Sequence, residues 1–145
     1  MPSNTERGRA FQVACRHALE QALGREFDLE VPFDLRPHSF DLASRERDII
    51  AECKAFSFTA AGNNPSAKIT TLREAAMYLR SMKGDVTRVL MVKRDVHPKR
   101  GETLGRYFVR LNTHHLGPVV VLEMPENGGT LECIYGRLDT GMTPN

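Results

Sequence analysis

The chain has 145 residues, of which 41% are hydrophobic and 26% are charged, as expected for one globular domain with its own core. Twenty basic and 18 acidic residues nearly cancel, so a surface for nucleic acid would need local clustering of charge. The polar N-terminal segment has no apolar signal core, and no apolar run has the length of a membrane span. Three cysteines without a C-x-x-C pair indicate reduced thiols. We therefore expect a cytoplasmic protein.

The first half of the chain predicts one helix and three strands. Apolar residues recur at helical spacing over residues 4–23, and Gly24 is placed to end that helix. Residues 27–35 alternate between apolar and polar side chains, which is typical of a strand with one solvated face, and Pro32 indicates an edge or a bend. Two more strands are predicted at residues 38–43 and 48–56, and together the three form an antiparallel meander.

The second half predicts alternating helices and strands. Ser66 is a plausible cap for a helix with apolar residues at Ile69, Leu72, Ala76 and Leu79. The nearly continuous apolar runs after it predict strands that are covered on both faces. These elements are a strand at 86–92, a helix at 104–111, a strand at 119–122 and a short strand at 131–135.

Acidic and basic residues fall on neighbouring strands of this scheme. Glu52 and Lys54 are two residues apart in the third strand, so their side chains share a face while Ile49, Ala51 and Cys53 share the other. Asp41 lies on the second strand. Two carboxylates with an ammonium group beside them can hold a hard divalent cation and position a water molecule against a phosphodiester. The alternative interpretation is a solvent-facing strand with a surface ion pair between Glu52 and Lys54.

This order of elements and these residues resemble the PD-(D/E)xK superfamily, the restriction-endonuclease-like nucleases. The resemblance covers about residues 8–123. Within the superfamily, the chain is most similar to small Holliday-junction resolvases and bacterial restriction-like proteins. It implies an α/β fold with an αβββαβ core, in which helices flank a central mixed sheet. An extra C-terminal helix and strands would complete a single domain, residues 1–145.

The resemblance also implies a metal site. In this family the aspartate, the glutamate and the carbonyl of the next residue bind Mg²⁺, which implies Asp41, Glu52 and the backbone carbonyl of Cys53 here. Mn²⁺ can substitute, because both ions favour oxygen ligands. Lys54 would orient the attacking water or the phosphate.

One position departs from the family pattern. Many relatives carry a glutamate on the first helix, in a Gly-x-x-Phe-Glu pattern, whereas this chain reads Gly8-Arg9-Ala10-Phe11-Gln12. Glu6 and Glu20 lie almost opposite to the apolar face of the helix and are poor substitutes. Gln12 supplies no charge to the site, and this favours a one-metal or weakened site.

Basic residues outside the motif are candidates for phosphate contacts. Lys68 lies at the start of the second helix, where a helix N-terminus also attracts anions. A basic connection after the fourth strand could hold a nucleic-acid backbone through non-specific contacts. Its candidates are Lys93, Arg94, Lys99 and Arg100. Each of these positions is also compatible with a merely solvated side chain.

Two functions from different classes follow. The first is a divalent-metal-dependent nuclease, with DNA as the expected substrate and a homodimer as the expected assembly, since one chain offers one site and duplex cutting needs two. The second is a weak or inactive nuclease-fold module that binds nucleic acid or a partner protein, and Gln12 favours it.

Overall fold

The computed structural model describes residues 2–33, 38–63, 65–125 and 129–138. The described residues form three helices and six strands in the order α-β-β-β-α-β-α-β-β. Their bounds are α1 (Asn4–Leu23), β1 (Phe27–Pro32), β2 (Ser39–Ser44), β3 (Ile49–Lys54), α2 (Ser66–Ser81), β4 (Thr87–Lys93), α3 (Leu104–Leu116), β5 (Val120–Met124) and β6 (Glu132–Tyr135).

The six strands form one mixed sheet in the order β1-β2-β3-β4-β5-β6. The pairs β1–β2, β2–β3 and β5–β6 are antiparallel, whereas β3–β4 and β4–β5 are parallel. Helix α1 packs on one face, and α2 and α3 pack on the other. The predicted fold class, an α/β fold with helices flanking a central mixed sheet, is confirmed. Pro32 lies on the edge strand, where a residue without a backbone N–H is tolerated.

The ends of the first two helices differ in how they are capped. Helix α1 begins with a capping box between Ser3 and Glu6 and ends at Gly24, whose φ of 65° is left-handed. Helix α2 has Pro65 at its cap position, without a side-chain hydrogen bond, and Ser66 is its first residue. The predicted cap at Ser66 is therefore wrong. Among the described helices, none is long and apolar enough to cross a membrane.

Both faces of β3 are buried over residues 49–52, so the predicted face of Glu52 and Lys54 is not a charged face along its whole length. Ile50 shares the face of Glu52 and is fully buried in the core beneath α2 and α3. Ile49 and Ala51 pack in the second core, beneath α1. A polar residue on either face of β3 therefore sits next to apolar packing.

Strands β2 and β3 separate where Asp41 lies. Their paired residues are Leu42 with Ala51 and Ala43 with Ile50. Phe40 and Leu42, two positions apart, pack in cores on opposite faces, so the alternation of side chains is interrupted at Asp41. The end of the predicted first strand, Asp34 and Leu35, lies outside the described residues.

Candidate functional site

The Asp41 carboxylate connects β2 to β3 at the point where these two strands separate. Its Oδ2 accepts a hydrogen bond of 2.7 Å from the backbone N–H of Cys53. A side chain thus replaces the next backbone bond of the β2–β3 ladder. This hydrogen bond fixes Asp41 beside Cys53, the residue that follows Glu52. The two acidic side chains of the predicted motif therefore lie close together.

Glu52 is buried, with 2% of its surface exposed. Burial raises the pKa of Glu52 to about 9, and the nearby Asp41 carboxylate adds to the rise. A carboxyl group with this pKa is protonated at neutral pH unless a cation replaces the proton. The burial excludes the alternative interpretation of β3 as a solvent-facing strand with a surface ion pair at Glu52.

His38 is the direct partner of Glu52. Its Nε2 contacts Oε1 of Glu52, and its ring stacks on Tyr78 of α2 with centroids 3.9 Å apart and planes 4° from parallel. The ring of Phe40 meets His38 edge-on at 5.2 Å. Burial lowers the pKa of His38, so the imidazole is neutral at neutral pH. Two aromatic rings therefore fix the orientation of the group that holds Glu52.

Gln12 approaches Asp41 from α1. It is 7% exposed, and its Nε2 donates to the backbone carbonyl of Asp41 at 3.0 Å and to Oδ1 at 3.4 Å. Glu6 belongs to the capping box of α1, and Glu20 accepts a hydrogen bond from the Phe27 N–H at 2.9 Å. Both glutamates are thus engaged elsewhere, and α1 brings the amide of Gln12, rather than an acid, to the site.

Lys54 lines an open cleft of about 870 Å³ at the end of β3. Strands β3 and β4 are parallel, with Lys54 opposite Val92, so Lys93 reaches the same edge of the sheet. The N-terminal half of α1 and the segment after β3 complete the walls. The lining residues are Asn4, Arg7, Gly8, Ala10, Phe11, Cys53, Lys54, Ala55, Phe56, Ser57, Lys68 and Lys93.

The other candidate phosphate ligands are distributed unequally. Lys68 and Lys93 line the cleft, whereas Arg94, Lys99 and Arg100 are absent from its described lining. The guanidinium of Arg94 pairs with Glu132 at 3.1 Å, and that of Arg100 lies 5.3 Å from the ring centroid of Tyr107. The structure therefore brings two of the five candidates together with Lys54.

Asp41 and Glu52 present carboxyl oxygens, the type of donor that a hard divalent cation prefers. Within the described ranges, no group of three or more His, Cys, Asp and Glu side chains is arranged to hold a metal ion. The side-chain donors are then two carboxylates, and the carbonyl of Cys53 is the expected third donor. Two neighbouring carboxyl groups, one of them with a pKa of about 9, are a pair that a divalent cation would stabilise in the ionised form.

Sequence reasoning did not identify His38, Arg7, Phe11 and Phe56 as site residues. Arg7 and Phe11 are four residues apart on α1, and this helical spacing could have placed them on one face. The contact of His38 with Glu52 depends on how β2 meets β3, and its stacking on Tyr78 depends on the packing of α2. No local pattern in the sequence carries that information.

Comparisons with known proteins add little. No family model matches the chain, and no curated protein matches it. One solved structure, Pyrococcus furiosus SfsA in complex with Ca²⁺, is similar at 12% identity and a TM-score of 0.34. The match covers 87% of this chain and 60% of that chain, so the chain spans about 60% of the length of its neighbour. A likeness at this TM-score supports no functional conclusion.

Proposed function

We propose that this chain is a divalent-metal-dependent nuclease that hydrolyses phosphodiester bonds, with DNA as the expected substrate. The observation that carries the proposal is the pair formed by half-buried Asp41 and buried Glu52 beside a basic cleft. The two residues after Glu52, Cys53 and Lys54, line that cleft. The proposed metal-binding pair is thus joined to the proposed phosphate-binding surface through the residues that follow Glu52, although Asp41 and Glu52 themselves are not part of the described cleft lining.

Each residue of the site has a separate task in this proposal. Asp41, Glu52 and the carbonyl of Cys53 would hold Mg²⁺, or Mn²⁺ in its place. The bound ion would supply charge stabilisation to the phosphoryl oxygens and make a water molecule more acidic. Lys54 orients the attacking water or the phosphate.

Two further residues position the carboxylates rather than touching the substrate. His38 holds Glu52 through its Nε2, and Gln12 holds the backbone and the carboxylate of Asp41. Partners of metal ligands commonly tune ligand orientation and metal affinity. For a duplex substrate, we propose a homodimer, since one chain contributes one such site.

A second function has its own supporting observation. Gln12 presents an amide, without charge, where the family pattern has an acid. An amide can fix Asp41 but cannot offset the charge of a second cation, and loss of that charge would weaken catalysis. The second candidate is therefore a nuclease-fold module that binds nucleic acid or a partner protein without cutting it.

Cleavage of labelled DNA in Mg²⁺, Mn²⁺ and EDTA tests the first function against the second. We expect cleavage by the wild type with either metal, and a loss of about 10²- to 10⁴-fold for Asp41→Asn, Glu52→Gln and Lys54→Ala. Glu123→Gln is the matched control, because Glu123 is another buried carboxyl group outside the site. Full activity of purified Lys54→Ala would overturn the assignment, and DNA binding without any cleavage would favour the second function.

A further inference from the structure

We propose that the basic cleft binds an unpaired nucleotide, with its phosphate on the lysines and its base against the phenylalanine rings. The substrate class of the site is then single-stranded or frayed DNA rather than an intact duplex. This inference rests on the proposed function and names its substrate class. Three features of the cleft support it: the positive charge, the fixed positions of two lysine side chains, and the presence of aromatic rings.

The charge of the cleft is one-sided. Its described lining contains four basic side chains and no acidic one, although the whole chain has 20 basic and 18 acidic residues. The four are Arg7, Lys54, Lys68 and Lys93. A concave surface with only positive side chains concentrates an electric field that attracts a phosphate.

Two of these cations are held in place by one residue. The Nζ of Lys68 donates to the backbone carbonyl of Ser57 at 2.7 Å. The Nζ of Lys93 donates to the hydroxyl of the same serine at 3.0 Å. The two lysines come from different elements, the start of α2 and the end of β4. Their convergence on Ser57 places two positive charges side by side at the wall of the cleft before any ligand arrives.

Two aromatic rings line the same cleft. Both Phe11 and Phe56 are half-buried; Phe11 also packs against the core beneath α1, and Phe56 against the core beneath α2 and α3. Rings beside cations are the combination with which proteins bind unpaired nucleotides, because every base has a flat face that can stack on an aromatic side chain. In an intact duplex, those faces are covered by neighbouring bases.

The dimensions of the cleft agree with this ligand. A volume of about 870 Å³ lies in the range of pockets that enclose small molecules of nucleotide size. Cys53 and Lys54 form part of the same wall, so a nucleotide in the cleft would lie beside two residues of the proposed reaction centre.

Fluorescence anisotropy with a labelled oligothymidylate and a hairpin duplex of equal length tests the inference. The measurements are made in EDTA, across a salt series, so that binding is separated from cleavage. We expect tighter binding of the single strand by the wild type. For Lys68→Ala with Lys93→Ala, the slope of log affinity against log salt should decrease by about 0.7 for each lost contact. Arg94→Ala is the matched basic control, since Arg94 pairs with Glu132.

The rings are tested by replacements that keep apolar volume. Phe56→Leu and Phe11→Leu should each weaken binding of the single strand by about 5- to 100-fold with an unchanged salt slope. Phe56→Tyr keeps a flat ring and should bind like the wild type. Melting temperatures check that each variant is folded, and Phe11→Leu carries the test if Phe56→Leu does not fold.

Two results would overturn the inference: tighter binding of the duplex, or an unchanged affinity for oligothymidylate in both leucine variants. The proposed function fails separately. Metal-dependent cleavage of duplex DNA that is insensitive to the leucine variants would keep the nuclease and refute the single-strand cleft. Cleft-dependent binding of the single strand, without cleavage in any metal, would support the single-strand cleft and refute the nuclease.

Discussion

Nε2 of His38 contacts Oε1 of Glu52, and the imidazole ring lies flat on Tyr78, with 3.9 Å between centroids. Helix α2 is thereby connected to the buried Glu52 through two stacked rings, those of Tyr78 and His38. Because the ring orientation is fixed by stacking and by Phe40, the Glu52 carboxyl group has a fixed position before a cation binds.

Removal of the His38 side chain should weaken metal binding and cleavage without abolishing them. We expect His38→Ala to lower Mn²⁺ affinity and cleavage by about 10- to 100-fold, the usual cost of losing a partner of a metal ligand. Calorimetric titration with Mn²⁺ and the cleavage rate measure the two effects. His114→Ala, in the last turn of α3, is the control and should leave both values unchanged. Equal Mn²⁺ affinities for His38→Ala and the wild type would show that this contact is structural only.

The raised pKa of Glu52 has a consequence for stability. The ordinary pKa of a glutamate side chain is 4.5, and that of Glu52 in the folded protein is about 9, so the folded state binds more protons than the unfolded state between these values. The free energy of unfolding of the metal-free protein should therefore fall as pH rises through this window. Each pKa unit corresponds to about 1.4 kcal/mol, so even a fraction of the shift is measurable.

Glu52→Gln removes this titration. At pH 8 and without metal, we expect it to have a higher free energy of unfolding than the wild type, and a flatter dependence on pH, by urea denaturation. Glu123 is the comparison, because burial also raises its pKa and its two oxygens have no hydrogen-bond partner in the described part of the chain. Glu123→Gln should also stabilise the protein, but it should leave cleavage unchanged. A metal-free Glu52→Gln that is less stable than the wild type at pH 8 would contradict the assigned protonation.

Gln12 can be exchanged for an acid of similar size, glutamate. In Gln12→Glu, a carboxylate would face the carbonyl and the carboxylate of Asp41, which now accept hydrogen bonds from the amide. We expect a lower melting temperature without metal and a larger increase when Mn²⁺ is added, because the cation offsets the added charge. Gln12→Ala, which removes the amide without adding charge, separates the two effects. An Mn²⁺-induced shift no larger than that of the wild type would assign Gln12 a structural role.

Local patterns were sufficient for most of the fold. Periodicity and Gly24 predicted α1 with its observed bounds, and Pro32 indicated an edge or a bend for β1, which lies at the edge of the sheet. The cap of α2 was predicted wrongly because Ser66 has a favourable residue type, whereas the backbone places Pro65 at the cap position. A residue type alone does not determine where a helix begins.

The site was predictable only where one strand carries the information. The shared face of Glu52 and Lys54 follows from the strand period, but the burial of Glu52 depends on how α2 covers that face. The convergence of Lys68 and Lys93 on Ser57 joins residues from three parts of the chain. Distances of this kind arise from tertiary packing and leave no periodic signal in the sequence.

The central claim is that Asp41, Glu52 and the carbonyl of Cys53 hold one divalent cation. Anomalous diffraction from a crystal soaked in Mn²⁺ tests it most directly. We expect an anomalous peak within bonding distance of both carboxylates and that carbonyl, and its loss in Glu52→Gln crystals soaked in the same way. A soaked wild-type crystal with no peak between Asp41 and Glu52, or with a peak that persists in Glu52→Gln, would contradict the claim.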